Sequence, residues 1–274
     1  MTVCELTTRS PDSRPAPRRH WAREVALLGV LYVGYSVARM VTGADLPGAL
    51  AHAHDILDIE TALHLDIEAP ANSALEAVPV LAVAASYWYS LLHYLVTPAV
   101  LFWVYRARPL AYRQVRDALV LASGIGLLGF TLVPMAPPRM LPGFVDTLAM
   151  TANAGWWGDD ASAPRGLGEL TNQLAAMPSL HVGWAVWVAW VVVRLTKRQW
   201  LRVLAVAYPV MTTLVVVATA NHYLLDAVAG AAVVALAVRL SRHTAKWGRA
   251  GAAAVPVGAS ANTAPAALEE SPAA

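Results

Sequence analysis

Apolar and polar stretches alternate along this chain in long blocks. Residues 1–22 are polar and basic, with Arg9, Arg14, Arg18 and Arg19, and read as a disordered arm. Apolar runs then cover about 22–41, 77–105, 118–133, 181–193, 201–220 and 223–240. A helix needs about 20 apolar residues to cross the hydrocarbon core of a bilayer. The pattern therefore predicts an all-α polytopic membrane protein, a six-transmembrane-helix bundle. The run after His181 is short, and Leu195 and the region of Trp200 extend it to the interface. Residues 42–76 are polar and acidic, and 134–180 form the longest loop, rich in Pro and Gly. The pattern divides the chain into the arm 1–22, a membrane domain 23–245 and an Ala/Pro-rich tail 246–274 that cannot build a core.

The first run has two readings. Its basic flank and modest length suit a signal peptide, with Ala51-His52-Ala53 as a small-residue cleavage site. That site lies too far past the run, so an uncleaved helix is the preferred reading.

Composition agrees with a membrane domain. Of 274 residues 57% are hydrophobic and only 14% charged, against roughly a quarter charged in soluble proteins. The net charge of +2 matters less than where the charges fall. Arg106, Arg108, Arg113 and Arg116 separate the second and third runs; Arg194, Lys197, Arg198 and Arg202 separate the fourth and fifth; Arg239, Arg242, Lys246 and Arg249 follow the sixth. With the N-terminal arm these lie on one side of a six-span topology. The opposite loops hold Arg139 and Arg165, with Arg39 at the outer end of the first run. The positive-inside rule puts the arginine-rich side and both termini in the cytoplasm. Asp45, Asp55, Asp58, Glu60, Asp66, Glu68 and Glu76 are then expected to face outward, with Asp159 and Asp160. The one cysteine, Cys4, sits in the arm, so no internal disulfide can form.

Two stretches carry candidate chemistry: Met177-Pro178-Ser179-Leu180-His181 and Asn221-His222-Tyr223-Leu224-Leu225-Asp226. Each places a histidine at the mouth of an apolar run, on the same side of the predicted membrane. His222 and Asp226 are four apart at a helix start and share a face. The carboxylate can take one imidazole N–H and leave the other nitrogen as nucleophile or base. His181 opens the fourth span, where free backbone N–H groups and the helix dipole favour a phosphate. Ser179 adds a hydroxyl donor. Arg139, in Ala136-Pro137-Pro138-Arg139-Met140, offers a planar fork for phosphate oxygens where the third span ends. A nucleophile with an orienting acid, a second histidine to protonate a leaving group, and donors for phosphoryl charge are the parts of transfer through a phosphohistidine.

These residues resemble the motifs of the type-2 phosphatidic acid phosphatase superfamily of membrane lipid phosphatases and phosphotransferases. Pro178-Ser179-Leu180-His181 is similar to the family's Pro-Ser-Gly-His, with Leu180 for glycine, and His222-Tyr223-Leu224-Leu225-Asp226 to its His-x-x-x-Asp. With the preceding Ala-Pro-Pro-Arg, the set resembles the inositolphosphotransferase branch, which includes inositol phosphorylceramide synthase. The resemblance implies His222 as nucleophile, Asp226 as its orienting acid, His181 as general acid, and Arg139 as phosphate ligand. It implies a membrane lipid phosphate as substrate, a polyol as a possible acceptor, and no metal. Two family cations are missing: Val216 stands where an arginine precedes the histidine, and Leu132 where a lysine precedes the first-motif arginine. Arg165 is a candidate replacement. The departures tilt the expectation toward transferase over phosphatase, with a non-catalytic transporter or scaffold as a third reading. Arg108-Pro109 mimics the first motif but falls on the cytoplasmic side, and reads as a decoy.

Other features have plainer readings. His52, His54, Asp55 and Asp58 can be drawn as a metal site, but a solvated amphipathic helix over 49–66 accounts for them without converging geometry. His93 lies deep in the second span, four residues after Tyr89; a hydrogen bond inside the bundle is the default and a substrate channel the alternative. Gly124, Gly126 and Gly129 permit close helix packing. Trp156 and Trp157 either anchor at the interface or line a polyol pocket. No glycine-rich nucleotide loop is present, so no cofactor is predicted. The clustered basic residues are all juxtamembrane, which argues against nucleic acid as a partner.

Overall fold

The computed structural model describes residues 45–157 and 173–253, with 24, 26, 27, 29, 30, 33, 34 and 36; of 243–253 it describes the backbone only. Arms 1–22 and 254–274, most of the first apolar run, Asp159, Asp160 and Arg165 lie outside the described residues.

Helices dominate, as the long apolar runs require. The acidic stretch expected to face outward folds into two of them, α1 (Leu46–Ala62) and α2 (Glu68–Glu76). A continuous helical rod of 29 residues follows, Pro79–Ala107. It is made of α3 (Pro79–Tyr87), a wider π-helical turn over Trp88–Leu92, and α4 (His93–Ala107). Then come α5 (Pro109–Leu132), the four-residue α6 (Thr147–Met150), α7 (Leu180–Leu195), α8 (Gln199–Ala218) and α9 (Leu224–Ala253).

Four stretches are long and apolar enough to cross a membrane: Pro79–Ala107, Pro109–Leu132, Gln199–Ala218 and Leu224–Arg242. α7 is apolar but only 16 residues long. Thus five of the six expected spans have a described helix. For the first, the described positions between 24 and 36 are helical; Glu24 meets Arg116 of α5 at 2.6 Å, and Gly34 lies beside Leu127. The third span begins earlier than expected, at Pro109, so Arg113 and Arg116 ride on its first turns.

The helices pack as membrane helices do, with small residues inward and large apolar ones outward. Ala118, Ala122 and Ala185 are fully buried, whereas Leu128, Leu132, Val203, Val210 and Leu214 are exposed. Gly126 and Gly129 meet the Pro178-Leu180 stretch: a Cβ at Gly126 would lie 2.6 Å from Leu180 Cδ2, and one at Gly129 2.7 Å from Pro178 Cδ. Gly124 has nothing within 4 Å, so the packing expectation fails there. Trp157 also departs from expectation. It is fully buried, donates Nε1–H to the Leu148 carbonyl (3.0 Å) and packs edge-on to Tyr87, while Trp156 stays exposed.

All connections carrying α1, α2, α6 and the motifs lie at one end of the bundle. Arg106, Arg108, Arg194, Lys197 and Arg198 lie at the other. Arg108 donates to the Leu195 carbonyl (3.4 Å), a full helix length from His181. At the motif end, α7 and α9 touch backbone to backbone. The Ser179 N–H donates to the Asp226 carbonyl (3.0 Å), and any Cβ at Gly230 would collide with the Ser179 carbonyl. Backbone cannot swing aside as a flexible side chain can. Gly230→Ala is therefore expected to lower stability by about 1–3 kcal/mol or more, while Gly124→Ala stays within about 1 kcal/mol of wild type. Thermal unfolding in detergent measures both.

Candidate active site

The site forms where three helix ends meet. Ser179 caps α7: its backbone is extended and its Oγ accepts from the Val182 N–H at 3.4 Å. That turn points His181 inward, where it stacks on Tyr89 (ring centres 4.3 Å apart, 20° between planes). His93 meets the same ring edge-on at 4.3 Å. The wide turn over Trp88–Leu92 sets Tyr89 and His93 against the motif; such turns recur at functional sites. His93 is thus part of the site lining, and its Nδ1 has no hydrogen-bond partner.

His222 enters from the end of α8. The Asn221 and His222 N–H groups both return to the Val216 carbonyl at 3.1 Å, and the Ala220 N–H to Val217. Such a closure needs a left-handed residue, ordinarily glycine; here Ala220 fills it with φ of 54°. His222 Nδ1 lies 2.8 Å from the Ala176 carbonyl and 3.3 Å from Asp226 Oδ2. Both partners accept, so Nδ1 carries a proton and Nε2 is the nitrogen turned away from them. Asp226 Oδ2 also accepts the Tyr223 N–H (2.9 Å). Tyr223 is fully buried and donates its hydroxyl to the Ala136 carbonyl (3.0 Å).

The rings of His181 and His222 are 5.6 Å apart. Both Nε2 atoms are buried and lack a partner, as is Asp226 Oδ1. Arg139 is brought to the same turn. Its N–H donates to the Ala220 carbonyl (2.8 Å), its Nε to Asn221 Oδ1 (3.1 Å), and its Nη1 lies 3.8 Å from Asp146. The five predicted residues, His181, His222, Asp226, Arg139 and Ser179, therefore converge at one end of the bundle. Val216 is fully buried in the core and Leu132 is exposed, so neither position offers a cation. Among the described residues no group of three or more His, Cys, Asp or Glu converges as a metal site. His54, Asp55 and Asp58 are exposed on α1, and His52 turns to the Pro134 carbonyl (2.8 Å).

Two residues have partners that sequence reasoning missed. Glu60, expected on a solvated helix, and Glu68 are 0% and 1% exposed and accept from the first backbone amides of α9. No local pattern distinguishes them from their solvated neighbours. Tyr89 and His93 did leave a signal, a four-residue spacing at the depth of a span.

A family model described as the PAP2 superfamily matches residues 54–240. The chain belongs to the PAP2 superfamily. No significant match is found among curated proteins or solved structures. Membership, with the four long apolar helices, makes the chain a membrane protein of a phosphatase and phosphotransferase-type lipid enzyme family. In this PAP2 chain the usual motif glycine is Leu180, and the volume its side chain needs is left by Gly126.

An alanine held left-handed costs about 1–2 kcal/mol. Ala220→Gly is expected to keep or raise stability, by up to about 1 kcal/mol. Ala220→Val, β-branched in the same conformation, is expected to lower both melting temperature and activity.

Proposed function

We propose that the protein transfers a phosphoryl-containing head group, of the inositol phosphate type, from a membrane lipid to an alcohol through a phosphohistidine on His222. The observation that carries this reading is the pair of buried, unpartnered Nε2 atoms on rings 5.6 Å apart. His222 Nε2 attacks phosphorus, and the bond to the leaving oxygen breaks as His181 delivers its proton to that oxygen. An acceptor alcohol then attacks the same phosphorus, the P–N bond breaks, and His181 takes the acceptor's proton. Asp226 holds the Nδ1–H of His222 throughout and balances the charge on the ring. Arg139, the Ser179 hydroxyl and the start of α7 serve the phosphoryl oxygens.

Two further arguments support the setting. The arginine-rich ends lie opposite the histidines, which supports an extracytoplasmic site by the positive-inside rule. α7, at 16 residues, spans about 24 Å, less than the roughly 30 Å hydrocarbon core. Its first turn, with His181, therefore sits below the outer boundary, close to where lipid phosphates lie. The absence of cations at positions 132 and 216 weighs toward transfer over hydrolysis.

The test is purified protein with a radiolabelled lipid phosphate, with and without polyol. A new labelled product only with polyol is the expected result. Free phosphate without polyol would make the protein a phosphatase, and no turnover would favour a non-catalytic role. His222→Ala is expected to abolish turnover and His181→Ala to cut it by about 10²–10⁴-fold. His52→Ala, which removes a ring bonded to the Pro134 carbonyl, stays within a few-fold. Equal losses in all three would refute the site.

A further inference from the structure

Glu60 of α1 and Glu68 of α2 are buried side chains with an unusual set of partners. Among the described residues neither forms an ion pair. Glu68 Oε1 accepts the Leu224 N–H at 2.8 Å, and Glu60 Oε1 accepts the Leu225 N–H at 2.7 Å. These amides open α9, one and two residues before Asp226, and have no partner within their helix. The second oxygen of each carboxyl, Oε2, is buried and without a partner.

Two ionised carboxylates cannot share such a place cheaply, and a third, Asp226, is close by. One proton resolves the arrangement. A protonated carboxyl donates its O–H, a carboxylate accepts it, and the pair keeps one negative charge facing the positive end of α9. The groups bonded around this turn leave the count unchanged. Tyr223 donates its hydroxyl to the Ala136 carbonyl, Arg139 is turned to Asn221 and Asp146, and His52 is turned to the Pro134 carbonyl. No described cation neutralises a second charge.

Helix α2 reinforces the same segment from the next turn of the same face. Asn72, four residues after Glu68 and also buried, donates to the Ala218 carbonyl (2.9 Å) at the end of α8. It also exchanges hydrogen bonds with the backbone of Val145. The segment bearing His222 is thus gripped on both sides from α2.

We propose that Glu60 and Glu68 are positioning residues that act as a one-proton acid pair, locking the turn 222–226 so that Asp226 meets His222. The proposal rests on the reading of His222 as the phosphoryl acceptor. Asp226 can cap the start of its own helix or orient the imidazole. With Leu224 and Leu225 already satisfied from outside, its Oδ2 is left to Tyr223 N–H and His222 Nδ1.

The proton has a measurable signature. Burial, opposed by the Leu225 N–H and reinforced by the charges of Glu68 and Asp226, raises the Glu60 pKa from 4.5 to about 8. Between those values the folded protein holds a proton that the unfolded chain has released. Stability from this group therefore falls as pH rises from about 4.5 to 8 and levels off above. Glu60→Gln keeps the carbonyl oxygen for Leu225 and supplies a permanent N–H donor for Glu68, as a fixed copy of the protonated acid.

Two profiles against pH decide the matter, each for wild type and Glu60→Gln in detergent: melting temperature, and kcat with KM on a labelled lipid phosphate. The expected result is a wild-type melting temperature that drops between pH 5 and 8, and an alkaline fall in kcat near pH 8 at little-changed KM. In Glu60→Gln both falls are expected to flatten, with kcat at pH 9 at least several-fold above wild type. Parallel melting profiles would overturn the shared proton. Melting profiles that separate while kcat profiles stay parallel would leave a folding device only and overturn the positioning role. His222→Ala as active as wild type would instead sink the reading of the site, and the melting comparison would still decide whether the pair shares a proton.

Discussion

The backbone of α7 meets the backbone of α9 with almost nothing between them, and the site depends on that contact. Ser179 N–H reaches the Asp226 carbonyl, and Gly230 stands where only a missing Cβ lets the Ser179 carbonyl approach. From the other side, a Cβ at Gly183 would lie 3.2 Å from the Gly230 carbonyl oxygen. Two helix starts, each carrying a histidine, are thereby fixed in both separation and rotation. Imidazoles on rigid elements hold a geometry that loops would blur. The 5.6 Å between the rings follows from main-chain packing more than from any contact between the rings themselves.

Burial imposes a second demand, because helix ends shielded from water must find partners within the protein. The same bonds that meet this demand also aim the reactive groups. The Val216 carbonyl takes two amides from the turn before Tyr223, the Ala220 carbonyl takes Arg139 N–H, and the Ala176 carbonyl takes His222 Nδ1. Tyr223 ties the turn to Ala136, and two carboxyls close the first turn of α9. After this accounting the unpartnered buried atoms include Nε2 of His181, Nε2 of His222 and Oδ1 of Asp226. In a well-satisfied interior, such a remainder points to where a ligand belongs.

How much of this could be read in the sequence depends on the range of the interaction. Apolar runs announce helices because length and composition are local. His222 and Asp226 announce a shared face because four residues make about one turn. Glu60 and Glu68 announce nothing: an acid in an acidic stretch looks the same whether it meets water or a helix end 156 or 165 residues away. Gly126 shows the same limit. Its glycine-rich surroundings suggested packing in general, but only the fold pairs it with Leu180 and leaves Gly124 with no neighbour. His93 was visible as a buried titratable group, yet its meeting with His181 required the wide turn over Trp88–Leu92, which no residue pattern marks.

Leu180 and Val216 then become informative together. A side chain at 180 instead of glycine is accommodated by a glycine on α5, so the start of α7 keeps its place beside α9. A valine at 216 is fully buried among apolar neighbours that include Tyr89, so that position gives the rings packing and no charge. The chain therefore holds two imidazoles on a rigid backbone frame with little fixed positive charge in the turn beside them. Arg139 is the described arginine bonded into the turn beside His222, and the helix starts supply the remaining positive potential. One negative charge on the acid pair, rather than two, keeps that potential from being cancelled. A site with so little fixed positive charge depends on the position of each group more than on their number, which is why so many of its bonds are spent on holding a single turn.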